Sequence, residues 1–250
     1  MAVGAISRIQ LCGQFAVVAG GARIDAELPG RRGRLLLAYL AGHRRQPCTR
    51  GELVDALWPD GAGDAAAATL TVLLSRVRSL LGPETIRGRS ALQLVLPADA
   101  IVDVELAAAS LHEAESAVAL TEWRRAWSAA LAAQLAAGRT YLAEFDAAWI
   151  DAERHRLTLL HQAALAAYAE ACLGLGGTEL PGAERTARQL IALAPLSETG
   201  YRLLMLAQAA RGNSSSALHT YELIRNLLAA ELGVDPCAQL RELHRHLLTA

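Results

Sequence analysis

The chain has 250 residues and a formal net charge of −1, with 24 arginines, no lysine and 25 acidic residues. Hydrophobic residues make up 53% of it and aromatic residues 4%, so alanine and leucine dominate and favour helices. This length allows one large domain or two of ordinary size, and the apolar content excludes a disordered chain.

The charges are divided unequally along the chain. Residues 1–98 carry 12 arginines and seven acidic residues, a net +5, whereas residues 99–250 carry 12 and 18, a net −6. A basic segment joined to an acidic one indicates nucleic acid as a partner of the first part only. Domains that bind no DNA also reach +5, so the charge supports this partner without establishing it.

Several protein classes do not fit this sequence. No apolar run reaches the roughly 18–20 residues of a membrane span, and the first eight residues lack the pattern of a signal peptide. The four cysteines form no C-x-x-C pair, which predicts reduced thiols in a cytoplasmic protein without a metal site. No acid–base constellation, P-loop or dinucleotide fingerprint is present, so we expect neither an enzyme nor a cofactor.

The chain begins with short predicted strands. Residues 6–28 contain apolar runs separated by glycines, and Gly20-Gly21 fits a two-residue hairpin turn because glycine accepts positive φ. An arginine cluster then precedes a first helix, which is predicted over residues 35–42.

Two further helices follow in the first part. Thr49 and Glu52 have the spacing of a capping box that opens a second helix, and Pro59 ends it. Asp64 is the predicted N-cap of a third helix, which runs from about residue 65 to residue 81.

The third helix has one apolar stripe and one small, lightly polar face. The stripe consists of Leu70, Leu73, Leu74, Val77, Leu80 and Leu81. The opposite face carries Ala68, Val72, Ser75 and Ser79, flanked by Thr71, Arg76 and Arg78. Most solvated faces mix both signs of charge, but this one has no acidic residue. Because phosphates repel carboxylates and small residues allow close approach, its composition suits the DNA major groove.

A basic hairpin is predicted directly after this helix. Thr85–Arg87 and Ala91–Leu96 are predicted strands around the turn Gly88-Arg89-Ser90, which is the arrangement of a wing. We therefore expect residues 1–100 to form a winged helix-turn-helix domain of the α+β class. The residues alone also allow an ordinary α+β domain with scattered arginines.

From residue 101 the sequence is almost entirely helical, with continuous patterns over 106–119, 121–137 and 145–173. A repeat with an offset of 34 residues then relates Ala169, Cys172, Ala183 and Leu190 to Leu203, Leu206, Ala217 and Ile224. That period is typical of tetratricopeptide units, which usually bind protein. We expect residues 101–250 to form an all-α domain of this kind, with Trp149, Tyr201 and Tyr221 in its core, so that the chain is mainly α.

Motifs in both parts resemble the Streptomyces antibiotic regulatory protein family. In the first part they are residues 52–60 (ELVDALWPD), 74–82 (LSRVRSLLG) and 102–104 (VDV). In the second part they are residues 141–157, 194–205 and 217–236, of which ALHTYE and LAAELGVDP are the most similar. Their order and spacing cover nearly the whole chain.

The resemblance implies an OmpR-type winged helix followed by a bacterial transcriptional activation domain. It also implies an activator that binds promoter direct repeats as a homodimer or side-by-side protomers and contacts RNA polymerase holoenzyme. The chain departs from the family near Val72 and Leu73, where relatives often carry a larger polar or aromatic residue, and at Ser90-Ala91, where they carry Gly-Tyr. These departures leave the bases that it reads unpredicted.

Our hypothesis is that the third helix enters the major groove. Arg76 and Arg78 would contact phosphate or guanine, and Thr71, Val72 and Ser75 would face bases. Thr69 would reach phosphate from the side. The remaining backbone anchors would be Arg31, Arg32 and Arg34 before the first helix, Arg50 at the start of the second, and Arg87 and Arg89 on the wing.

Two alternatives stay open at this point. One is a tetratricopeptide-type adaptor without sequence-specific DNA binding. The other is the sensory N-terminal part of a larger regulator. Within these residues we expect no control by aspartyl phosphorylation or ATP, because no receiver or nucleotide-binding domain is recognisable. Under the main hypothesis, deletion of residues 104–250 would leave weak operator affinity and abolish activation.

Overall fold

The computed structural model describes residues 5–59, 61, 63 and 65–249, which leaves the predicted N-cap Asp64 outside the described residues. Its first elements are β1 (Ile6–Gln10), β2 (Ala16–Ala19), β3 (Ala22–Arg23), α1 (Gly30–Gly42), β4 (Cys48–Thr49), α2 (Arg50–Leu57), α3 (Ala66–Leu81), β5 (Ile86–Arg87), β6 (Ala91–Leu94) and β7 (Ile101–Val102). The helices that follow are α4 (Asp103–Ala119), α5 (Trp123–Ala137), α6 (Ala148–Leu175), α7 (Leu180–Leu193), α8 (Glu198–Ala210), α9 (Ser214–Leu232) and α10 (Ala238–Thr249). The predicted fold class is confirmed.

The chain forms two compact units that do not follow chain order. The first unit contains residues 1–106 and 136–157, and the second contains residues 107–135 and 158–250. Across the described ranges, none of the helices combines the length and apolar character that crossing a bilayer requires.

The first unit opens with a four-stranded sheet in the order β3-β2-β1-β7. The predicted hairpin turn is present, since Gly20 and Gly21 have φ values of 57° and 79° and join β2 to the antiparallel β3. β7 was not predicted as part of this sheet. Its two residues pair in parallel with Arg8 and Ile9 of β1, and so short a strand carries no periodic signal.

Three helices and a second sheet complete the predicted winged helix. The capping box is confirmed, because Thr49 accepts the Glu52 amide and Glu52 accepts the Thr49 amide. Those hydrogen bonds hold the pKa of the Glu52 carboxyl below its ordinary value. The wing strands β5 and β6 pair antiparallel, and β6 also pairs with β4, directly before α2.

Helix α1 begins earlier than predicted. It starts at Gly30, so Arg31, Arg32 and Arg34 lie in its first turns and not before it. Gly33 permits this start, because a Cβ at that position would lie 2.7 Å from the Pro29 ring. Gly30 and Gly33 are typical of a loop in sequence, but Gly33 is required here by its close packing against Pro29.

Residues 136–157, the returning segment, complete the core of the first unit. The Gly13 amide donates to the Thr140 carbonyl, and the Leu142 amide donates to the Leu11 carbonyl, both at 2.8 Å. The large buried side chains of the segment include those of Tyr141, Leu142, Phe145 and Ile150. The start of the predicted helix over 145–173 is therefore wrong. The backbone around Thr140 and Leu142 bonds to residues that follow β1, and α6 begins only at Ala148.

Two side chains of α6 fix the returning segment. The Trp149 indole donates to the Ala56 carbonyl at 3.2 Å, so Trp149 belongs to the first unit and not to the repeat core as predicted. Arg154 donates to the carbonyls of Leu142 and Phe145, at 3.1 and 2.7 Å. The sequence pattern cannot show this, because a helical stripe does not say which unit the helix packs against.

Asp103 joins the sheet to the start of α4. Its buried carboxylate accepts the amides of Leu11, Cys12 and Val104 at 2.8–2.9 Å. Burial raises the pKa of this carboxyl above its ordinary value, although three backbone amides donate to it.

The second unit contains the predicted helical repeat. The later part of α6 packs against α7, and α8 packs against α9. The small residues Ala183 and Ala217 are fully buried at equivalent positions, Ala183 beside Cys172 and Ala217 beside Met205. Tyr201 and Tyr221 are core residues here, as predicted.

Candidate DNA-binding interface

The exposed face of α3 has the predicted composition. The predicted stripe is buried at Leu70, Leu73, Leu74, Val77 and Leu81 but only half-buried at Leu80, and Ala68, Val72, Ser75 and Ser79 face solvent. Val72 is 52% exposed. No acidic residue occurs anywhere on α3.

Two predicted arginines present their charge to solvent. Arg76 on α3 and Arg89 in the wing turn are exposed, and neither side chain has a partner among the residues described. Arg87 is also exposed and pairs with Glu84 at 3.3 Å. Because both members of that pair are solvated, it contributes little and leaves Arg87 available to a phosphate.

Arg78 is engaged within the protein. Its Nε donates to the Ile86 carbonyl at 3.0 Å, and its Nη2 donates to the Gly88 carbonyl at 2.7 Å. The side chain thus spans from α3 to β5 and the wing turn. Charge and helical position alone did not distinguish it from Arg76.

Arg50 and Thr71 form a pair that sequence reasoning missed. Nη2 of Arg50 donates to Oγ1 of Thr71 at 2.5 Å, and Nη1 donates to the Arg89 carbonyl at 3.5 Å. Oγ1 of Thr71 donates to the Ala67 carbonyl at 2.9 Å. The Thr71 hydroxyl therefore has no hydrogen left to donate to a base, and its methyl group remains.

The arginines of α1 belong to a separate cluster. The guanidinium groups of Arg31 and Arg32 lie 4.7 Å from the Phe145 ring and 4.9 Å from the Trp58 ring, respectively. Both arginines line a cavity of about 530 Å³ together with Thr69. Arg34 lies 3.4 Å from Glu144.

The structure thus brings eight of the twelve predicted residues together around α3 and the wing. These eight residues are Arg50, Thr71, Val72, Ser75, Arg76, Arg78, Arg87 and Arg89. Arg31, Arg32 and Thr69 share the cavity, and Arg34 is paired apart from it. Within the described part of the chain, no group of three or more histidine, cysteine, aspartate or glutamate side chains is placed to hold a metal ion.

The wing turn depends on Gly88. Its φ is +93°, and a Cβ there would lie 1.8 Å from the Ala91 carbonyl oxygen, a distance that no backbone tolerates. The turn consequently cannot form as it stands with any other residue at this position.

We expect Gly88→Ala to destabilise the first unit more than Gly21→Ala. Both glycines have positive φ, which costs alanine about 1–2 kcal/mol, but a Cβ at Gly21 meets nothing within 4 Å. Gly88→Ala must also open the wing turn. Urea unfolding of the two variants, followed by circular dichroism, compares these costs; equal losses of stability would contradict the close contact.

Two protein-family models match the chain. The family model "Transcriptional regulatory protein, C terminal" matches residues 28–92, which include the three helices and most of the wing. The model "Bacterial transcriptional activator domain" matches residues 98–248, more than half of the chain.

The chain belongs to the bacterial transcriptional activator domain family. The predicted resemblance to the Streptomyces antibiotic regulatory protein family is confirmed. Regulatory protein AfsR of Streptomyces griseus is 31% identical over 227 residues, and that of Streptomyces coelicolor is 34% identical over 221. Each alignment covers 87% of the chain but 22% of AfsR, so the chain spans about a fifth of these relatives.

A shorter relative and a solved structure complete the comparison. Transcriptional regulator RedD of Streptomyces coelicolor is 31% identical, over 86% of the chain and 63% of RedD. The structure of Mycobacterium tuberculosis EmbR in complex with a low affinity phosphopeptide superposes with a TM-score of 0.86, covering 98% of this chain and 65% of EmbR. At 22% sequence identity, EmbR supports the fold alone.

Proposed function

We propose that this regulator activates transcription by placing the exposed face of α3 in the major groove of promoter DNA. One observation carries the proposal: α3 presents a small face without acidic residues, next to the exposed Arg76 and the arginines of the wing. An α-helix fits the major groove, and such a face allows both close approach and phosphate contact.

The residues divide into roles by their environment. Val72 and Ser75 face bases, with the Val72 methyl groups able to contact a thymine methyl. Arg76, Arg87 and Arg89 contact phosphates or guanine edges. We retain Arg31, Arg32, Arg34 and Thr69 as contacts to the DNA backbone at the edge of the interface.

The second part of the proposal concerns the partners. We propose that the DNA-reading function resides in residues 1–100 and that the acidic residues 101–250 provide the contacts to RNA polymerase and between protomers. Residues 99–250 carry a formal net charge of −6, which suits a protein partner better than DNA. Protomers would lie side by side on direct repeats in the cytoplasm, where the promoter is, and no catalytic step is required.

We expect Arg76→Ala to weaken binding to the operator and to non-specific DNA by a similar factor. Loss of one phosphate contact lowers the slope of log K against log salt by about 1. Operators would first be located by footprinting on the promoters nearest the gene, and affinities measured by gel-shift titration at several salt concentrations.

Arg124→Ala is the matched control, because Arg124 is also exposed and has no partner in the described ranges. Unchanged operator binding by Arg76→Ala would show that Arg76 is not in the interface. If the wild-type protein gave no footprint on any promoter, the adaptor alternative would replace DNA binding as the function.

A further inference from the structure

We propose that Arg50 and Arg78 form an arginine clamp that positions the wing against α3 and so sets the spacing between major-groove and wing contacts on DNA. They are positioning residues and not phosphate contacts. The inference rests on the proposed DNA-binding function and deepens it, because it separates the arginines that touch DNA from those that hold the interface in shape.

The Arg78 side of the clamp holds the first strand of the wing. The two carbonyls that it engages belong to Ile86, the first residue of β5, and to Gly88, which begins the turn. Hydrogen bonds from a charged group are stronger than neutral ones, and a forked guanidinium that donates to two carbonyls fixes both. The side chain is partly buried between α3 and the wing, which reduces its access to a phosphate.

The Arg50 side of the clamp holds the part of the wing turn that leads into β6. Its backbone amide donates to the Ser90 carbonyl at 3.3 Å, and its guanidinium donates to the Arg89 carbonyl. The same guanidinium donates to Thr71 on α3. Arg50 therefore connects the start of α2, the middle of α3 and the tip of the wing.

The wing needs such support because it is small. β5 has two residues and β6 has four, and a two-stranded hairpin of this size is marginal by itself. Pairing of β6 with β4 fixes one strand, whereas β5 has no other neighbouring strand in its sheet. Arg78 connects β5 to α3.

The test compares Arg78→Met with Arg76→Met, two substitutions on the same helix that remove the same charge. For Arg76→Met we expect the salt slope to fall by about 1. For Arg78→Met we expect weaker binding and a slope that falls by about 2, because the displaced wing withdraws Arg87 and Arg89 from phosphates. Hydroxyl-radical protection under the wing should be lost, while guanine N7 protection in the major groove persists at saturating protein.

A merely destabilised protein would lose both protections together, so the split between them identifies positioning. In Arg78→Met, a slope that falls by only about 1 while protection under the wing is retained, or parallel loss of both protections in a folded variant, would overturn the clamp. Arg50→Met provides a second variant with the same expected split if Arg78→Met does not fold.

Hydrogen exchange of the free protein tests the clamp without DNA. In Arg78→Met, amides of residues 86–92 should exchange about tenfold faster than in the wild type, as expected from loss of hydrogen bonds to a charged donor. Arg76→Met should leave them unchanged. Equal exchange in both variants would overturn the clamp, whereas absence of any wild-type footprint would overturn the proposed function instead.

Discussion

Val72→Glu is expected to abolish specific operator binding while the protein remains folded. Val72 lies in the middle of the exposed α3 face, where a carboxylate would meet phosphates and the acceptor-rich edges of bases. We expect a loss of at least about 100-fold in affinity, since repulsion adds to the loss of apolar contact. The side chain is 52% exposed, so folding should change by no more than about 0.5 kcal/mol.

Leu223→Glu is the matched control for this substitution. Leu223 lies on α9 and is also 52% exposed. Its replacement by glutamate introduces the same charge into the acidic part of the chain. Gel-shift titration should show wild-type affinity for this variant. Specific binding by Val72→Glu within a few-fold of the wild type would place the DNA on another surface.

A fragment of residues 1–106 is expected to be unfolded or molten, although it contains every element of the predicted winged helix. It lacks the buried Tyr141, Leu142, Phe145 and Ile150 of the returning segment. Removing a single buried side chain of this size costs about 2–5 kcal/mol, and a domain has about 5–15 kcal/mol in total. Deletion of residues 104–250 would consequently destroy DNA binding together with activation, contrary to the expectation from the sequence.

A second fragment makes this experiment decisive. It replaces residues 107–135 with a flexible linker and ends at residue 157, so that it retains all of the first unit. Urea titration followed by circular dichroism should give a cooperative transition for this fragment and none for residues 1–106. Identical transitions in both would show that the returning segment does not stabilise the unit.

The features that the sequence predicted are local ones. The capping box of Thr49 and Glu52 spans four positions, and the Gly20-Gly21 turn spans two. The apolar stripe of α3 lies within 12 residues, from Leu70 to Leu81. Each of these patterns constrains the backbone at short range, so a single sequence suffices to find them.

The features that it did not predict depend on distant partners. β7 pairs with β1 across some ninety residues, and the returning segment packs on residues still further away in the chain. The candidate site shows the same limit, because Arg76 and Arg78 occupy similar surroundings in sequence. Only the position of the wing carbonyls shows that Arg78 is occupied and Arg76 is exposed.

The returning segment also bears on when the first unit can fold during synthesis of the chain. β1, α1 and α3 are made first, but Tyr141 and Trp149, which complete their core, emerge only after α4 and α5. Because a domain gains most of its stability when its last core residues are in place, we expect the first unit of the nascent chain to fold late. A product terminated before residue 136 would not compete with the finished regulator for its operators.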